Sequence, residues 1–61
     1  MTKFINVKAD GYDIIINTST ISYIERDPQY PYEKTRIWVS WAASGYVTAN
    51  GSIESIEEKL K

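Results

Sequence analysis

The sequence predicts a mainly β domain of the α+β kind: an antiparallel meander of four or five strands closed by one C-terminal α-helix. Three observations predict it. Thr35–Ala42 gathers Ile37, Trp38, Val39 and Trp41 into one run of β-branched and aromatic residues. Lys3–Ala9 alternates Ile5, Val7 and Ala9 with Phe4, Asn6 and Lys8, the period of a half-buried strand. Ser52 stands before Ile53, Ile56 and Leu60, which repeat at helical spacing.

The elements follow in order. After the first strand, Asp10-Gly11 reads as a hairpin turn, because Gly accepts positive φ and Asp tolerates the bend. Tyr12–Asn17 returns as the second strand, and its Ile14-Ile15-Ile16 run is apolar on both faces. Asn17-Thr18-Ser19-Thr20 is turn chemistry. Ile21–Asp27 is the third strand, stopped at Asp27-Pro28 because proline lacks a ladder donor. Pro28–Lys34 is an irregular loop stiffened by two prolines and carrying two tyrosines. The strand Thr35–Ala42 follows; on it Thr35, Ile37, Val39 and Trp41 face one way and Arg36, Trp38, Ser40 and Ala42 the other. Ala43-Ser44-Gly45 connects to a short fifth strand, Tyr46–Ala49. The helix spans about Ser52 to Leu60, with Glu54 in its first turn and Lys59 and Lys61 in its last, as the helix dipole favours. It packs on the face carrying Ile5, Val7, Ile37 and Val39. Phe4, Ile15 and Trp38 then belong to the opposite face.

Residues 1–61 are read as one small domain. A chain of this size buries about 60% of its unfolded surface, so its stability is marginal without a further constraint. There is no Cys and no His, which removes disulfides, thiolate sites, the usual zinc chemistry and the commonest general base. Self-association is the constraint that remains. A net charge of −1 argues against DNA as a partner, since phosphate neutralisation calls for a basic excess. No apolar run exceeds three residues, so no membrane-spanning segment is expected. Met1-Thr2-Lys3 leads straight into an alternating strand, so a cytoplasmic protein is expected.

Catalytic equipment is sparse. The carboxylates Asp13, Glu25 and Asp27 invite an acid/base reading, but a glycosidase-like pair needs a cleft, and charges on strands are ordinary protection against edge pairing. No Ser or Thr has a His partner, and Gly11, Gly45 and Gly51 are scattered turn residues rather than a phosphate loop. The expectation is a protein that is not an enzyme and needs no cofactor or metal.

The aromatic residues carry more. Tyr12, Tyr23, Tyr30, Tyr32, Trp38, Trp41 and Tyr46, with Phe4, are more than a one-sided core needs. In one reading Trp41 and Tyr23 are core and the loop tyrosines lid the sheet edge. In the other, Trp38 and the loop 28–34 form a buried contact with a second copy of the chain, and Phe4 and Ile15, on the same face as Trp38, are buried with it; aromatic anchors beside Arg are the usual composition of such contacts. The second is favoured. A ligand site is also expected at Arg26, Tyr30, Tyr32, Lys34 and Arg36: tyrosine faces stack planar rings and the cations hold phosphates. The chain would then bind, without turning over, a small nucleotide-like ligand or a protein. Small phage-encoded inhibitors of host defence work in this style.

Ile5-x-Val7, Gly11, Ile16-Asn17, Ile21, Ile24-Glu25, Thr35-x-Ile37, Gly45, Val47 and Ser52-Ile53-Glu54 together resemble the small FlbD family of flagellar accessory proteins over nearly the whole chain. That resemblance implies the β-meander fold and, as the alternative function, a flagellar accessory or general interaction role. More narrowly, Ile21-Ser22-Tyr23-Ile24-Glu25, Gly51-Ser52-Ile53 and Glu57-Glu58-Lys59-Leu60 look like the first half of a LytTR DNA-binding domain. Neither resemblance carries over a functional residue.

Overall fold

The computed structural model describes residues 3–61; Met1 and Thr2, read above as the lead into the first strand, lie outside them. One five-stranded antiparallel sheet is followed by one helix: β1 (Phe4–Ala9), β2 (Tyr12–Asn17), a 3-10 turn (Thr18–Thr20), β3 (Ile21–Arg26), β4 (Lys34–Val39), β5 (Tyr46–Asn50) and α1 (Ile53–Leu60). The expected fold class is therefore what the chain adopts.

In space the strands run β2-β1-β5-β4-β3. β3, β4 and β5 form a meander in chain order. The β1–β2 hairpin joins on its far side, with β1 beside β5. β2 and β3 are thus opposite edges, yet only the 3-10 turn separates them in sequence, so the sheet must curl to bring its edges near each other. β1 and β5 pair at a single position, Lys8 with Asn50. Below it the two strands part, and α1 lies against β1, β3 and β4.

The inside of the curl is aliphatic. Ile5, Val7, Ile16, Ile37, Val39, Ala49 and Ile56 form the buried cluster, with Ile14, Ile21, Ile24, Val47 and Leu60 packed around it. Strict alternation on β1 and β4 supplies one half of each strand to this core. Cross-strand partners match across it: Ile5 faces Ile16, Val7 faces Ile14, and Ile37 sits between Ile24 and Val47. Ile56 is the one fully buried residue of the helix stripe; Ile53 and Leu60 are half-buried at its flanks. Ser52 starts the helix as its sequence position suggests: its Oγ accepts from the Ser55 N–H at 3.2 Å, an interaction worth about 1 kcal/mol.

The turns are also built by local chemistry. Gly11 closes the first hairpin at φ 85°, while Asp10 keeps a negative φ. Asn17 caps the 3-10 turn, its Oδ1 accepting from Ser19 N at 3.0 Å. Gly45, at φ 90°, ends the turn before β5, and its carbonyl accepts from Val39 N at 2.9 Å.

One expectation is corrected here. β4 ends at Val39, so Trp41 does not share a face with Ile37 and Val39. The chain turns at Ser40–Gly45, and the Trp41 indole N–H reaches the Thr20 hydroxyl at 2.9 Å, leaving the ring half exposed. An indole donor is favoured where it finds an acceptor, and the aliphatic core offers none.

Candidate functional site

The outer face of the sheet holds the residues the core leaves over. Register fixes their rows. Tyr23, Trp38 and Tyr46 lie side by side across β3, β4 and β5. Glu25, Arg36 and Thr48 form the next row. The first row is in contact throughout: the Tyr23 and Trp38 rings stack with centroids 5.5 Å apart, and Tyr46 meets Trp38 at 4.9 Å. Glu25 accepts the Trp38 indole N–H at 2.7 Å, which locks the ring in place. Trp38 is half-buried by these neighbours rather than bare.

Arg36, in the next row, reaches across to Tyr46. Its guanidinium carbon stands 4.5 Å from the Tyr46 ring centroid, a cation–π arrangement. Its Nε is 3.9 Å from Asp27 Oδ2, beyond hydrogen-bond reach, and this buried N–H has no hydrogen-bond partner.

Asp27 is 7% exposed and organises the loop between β3 and β4. Its Oδ1 accepts from Gln29 N at 2.8 Å and Tyr30 N at 3.0 Å, the pattern of an Asx turn. The carbonyl of Tyr30 then takes Lys34 N, and that of Glu33 takes Gly51 N. The loop is tied at both ends. Of the carboxylates considered for acid/base work, Asp27 caps this loop, Glu25 holds Trp38 and Asp13 pairs with Lys8 at 3.3 Å. Each has a structural partner.

The five residues expected to bind a ligand divide into separate groups. Tyr30 and Lys34 come together, the ammonium 5.3 Å from the ring centroid. Lys34 also bridges to Asp10 at 2.9 Å, on the β1–β2 turn. Arg36 joins Asp27 and Tyr46 on the outer face. Arg26 alternates to the other side of β3 and pairs with Glu54 of α1 at 2.9 Å. Tyr32 is 83% exposed at the loop. Of the three residues expected at a contact between copies, Phe4 and Ile15 are exposed diagonal neighbours on β1 and β2, while Trp38 lies on β4, beyond β5. The surface also carries two open depressions of about 340 Å³ each. Asn6, Lys8, Asn50 and Lys59 line one; Asp10, Tyr12, Ser44, Tyr46 and Thr48 are in the lining of the other.

The sequence reading missed the Asp10–Lys34 bridge and the Glu25–Trp38 hydrogen bond. Only strand register brings these partners together, and no local signal gives it. The capping role of Asp27 was legible in Asp-Pro-Gln-Tyr, where Asp opens a turn.

The bridge has a pH consequence. The Lys34 hydrogen bond, helped by one from Asn50, holds the Asp10 carboxyl below its usual value. The hydrogen bond to Asp10 raises Lys34. A depressed carboxylate contributes stability above its unfolded value, about 3.9, and loses it as pH falls through the folded value. A raised lysine contributes below about 10.4 and loses that as pH rises through its folded value. Asp10→Asn should therefore lower the melting temperature between those limits, with the difference shrinking as pH falls below about 3.9. An undiminished difference at pH 2 would show that the bridge is not its source.

Among the described residues no helix is long and apolar enough to cross a membrane. No protein-family model, curated protein or solved structure matches the chain.

Proposed function

We propose that this chain is a non-enzymatic, homo-oligomeric binding protein that takes a protein partner or a small nucleotide-like ligand on the outer face of its sheet. One observation carries the reading. None of the eight aromatic residues is in the core, which is wholly aliphatic apart from the buried Thr35 and Asp27. Phe4, Tyr12, Tyr23, Tyr30, Tyr32 and Trp41 are exposed, and Trp38 and Tyr46 half-buried. Large aromatic surfaces beside an arginine are the composition of contact sites.

The small-ligand form of the reading has its own support in Arg36. A ring packing against the exposed Tyr23 side of the aromatic row would bring an attached phosphate or carboxylate near the part-exposed guanidinium of Arg36. Binding without turnover is how small phage-encoded inhibitors sequester a nucleotide signal or block a protein, and the proposal extends that style to this chain. Calorimetry against a nucleotide panel tests it. Arg36→Ala should cost about 1.5–3 kcal/mol in binding, through lost charge-assisted hydrogen bonds, without altering the oligomer. Trp38→Glu should abolish ligand binding, because it places a carboxylate in the aromatic row. Silence across the panel, with a protein partner recovered, leaves the protein-binding form. Turnover of any ligand overturns the proposal.

A further inference from the structure

Resting on the reading that the protein self-associates, we infer that a second copy pairs with β2, edge to edge and antiparallel, about a two-fold axis at Ile15. The sheet has two edges, and they differ. β3 carries a register irregularity between Ile21 and Tyr23, then Glu25 and Arg26, with Pro28 just beyond. Irregularities, charges and proline are how edges are kept from pairing. β2 runs in unbroken register with β1 and has a single charge, Asp13. Its central Ile15 is 68% exposed.

The outward backbone groups of β2 follow from one hydrogen bond. Thr18 N donates to Lys3 O at 2.9 Å, in step with the β1–β2 ladder. Bonded and non-bonded pairs alternate in an antiparallel ladder. Ile16, Ile14 and Tyr12 therefore point their N–H and C=O groups at β1, and Asp13, Ile15 and Asn17 point theirs away from it. The Asn17 carbonyl is taken by the Thr20 hydroxyl at 2.7 Å. Both groups of Asp13 and Ile15 and the N–H of Asn17 are left for a partner strand.

Register selects a second copy of the same strand. Pairing that keeps the apolar faces aligned can centre on Ile14 or on Ile15. Centred on Ile14, it sets the Asp13 carboxylate against the apolar Ile15 of the copy. Centred on Ile15, it sets Ile15 against Ile15, Ile14 against Ile16, and Asp13 against Asn17. Asn17 suits that place: its Oδ1 accepts from Ser19 N and Ser19 Oγ, so its amide hydrogens are free for a carboxylate. Lys8 stays beside its own Asp13, and no like charges face each other. The outcome is one sheet running through both copies, with Phe4 flanking the joint on the outer face.

Sedimentation and cysteine cross-linking test this. The unmodified protein should sediment as a dimer at micromolar concentration, and Ile15→Lys, a change at an exposed position, as a folded monomer with unaltered circular dichroism. The chain has no cysteine, so single introductions report cleanly. Bonded pairs place Cα atoms about 5.5 Å apart, within disulfide range. Ile15→Cys should oxidise to a covalent dimer and Ile14→Cys should not; the reverse would overturn the register. A dimer that survives Ile15→Lys and Ile15→Cys without cross-linking, yet dissociates with Trp38→Glu, would overturn the edge contact and leave self-association standing. An unmodified protein that is monomeric would overturn both.

Discussion

Ile37→Ala is expected to remove most of the domain's stability. Ile37 is fully buried at the centre of β4, between Ile24 on β3 and Val47 on β5. Truncating a buried isoleucine costs about 2–5 kcal/mol, the transfer of the lost methyl groups plus the cavity they leave. A single core in a chain this short rarely supplies more than about 3–5 kcal/mol. The two figures are comparable, so the variant should be largely unfolded at room temperature, or nearly so. β4 has ordered strands on both sides, which limits how far the surroundings can collapse into the gap. Urea denaturation followed by circular dichroism measures it. A loss below about 1 kcal/mol would mean that the core relaxes around Ile37, contrary to its position.

The second large effect is expected at Gly45. Its φ of 90° lies in the left-handed region, which costs a residue with a side chain about 1–2 kcal/mol. A Cβ there would also sit 3.2 Å from Trp38 Cζ3 and 3.4 Å from Cε3. The indole cannot easily yield, because Glu25 holds its N–H and Tyr23 and Tyr46 contact its ring. Gly45→Ala should therefore destabilise by about 2–4 kcal/mol and shift the tryptophan emission. Gly11→Ala is the matched control. Its φ is similar at 85°, but nothing lies within 4 Å of the added Cβ. It should show the backbone cost alone. Equal losses at the two glycines would remove Trp38 from the account.

How much of this was legible in the sequence depends on the range of the interaction. Alternation in Ile5–Ala9, the Asp10-Gly11 turn and the Ser52 cap are local, and each was readable from a few neighbours. The aliphatic core was readable for the same reason, since Ile5, Val7, Ile37 and Val39 follow strand parity. Trp41 failed because parity was extended past Val39, where no local signal shows that the chain has begun to turn. The candidate site was less legible. Tyr30, Lys34 and Arg36 were grouped by closeness in sequence; Tyr30 and Lys34 do come together, while Arg36 lies instead with Asp27 and Tyr46. Arg26 was grouped in the same way, but strand alternation sends it to Glu54 instead. The aromatic row could not be read at all, because Tyr23, Trp38 and Tyr46 meet only through the register of three strands.

The single Lys8–Asn50 pairing between β1 and β5 bears on how the chain comes together in time. Every other ladder joins strands that are neighbours in sequence, so its loops are short and their closure costs little entropy. The hairpin and the three-stranded meander can each assemble from its own stretch of chain. Only the seam between them needs residues some forty positions apart to meet, and it offers one backbone pairing in return. Kinetically the molecule is two local pieces, and their docking, driven by Ile5, Val7, Ile37 and Ile56 closing over one another, is the step that carries the search.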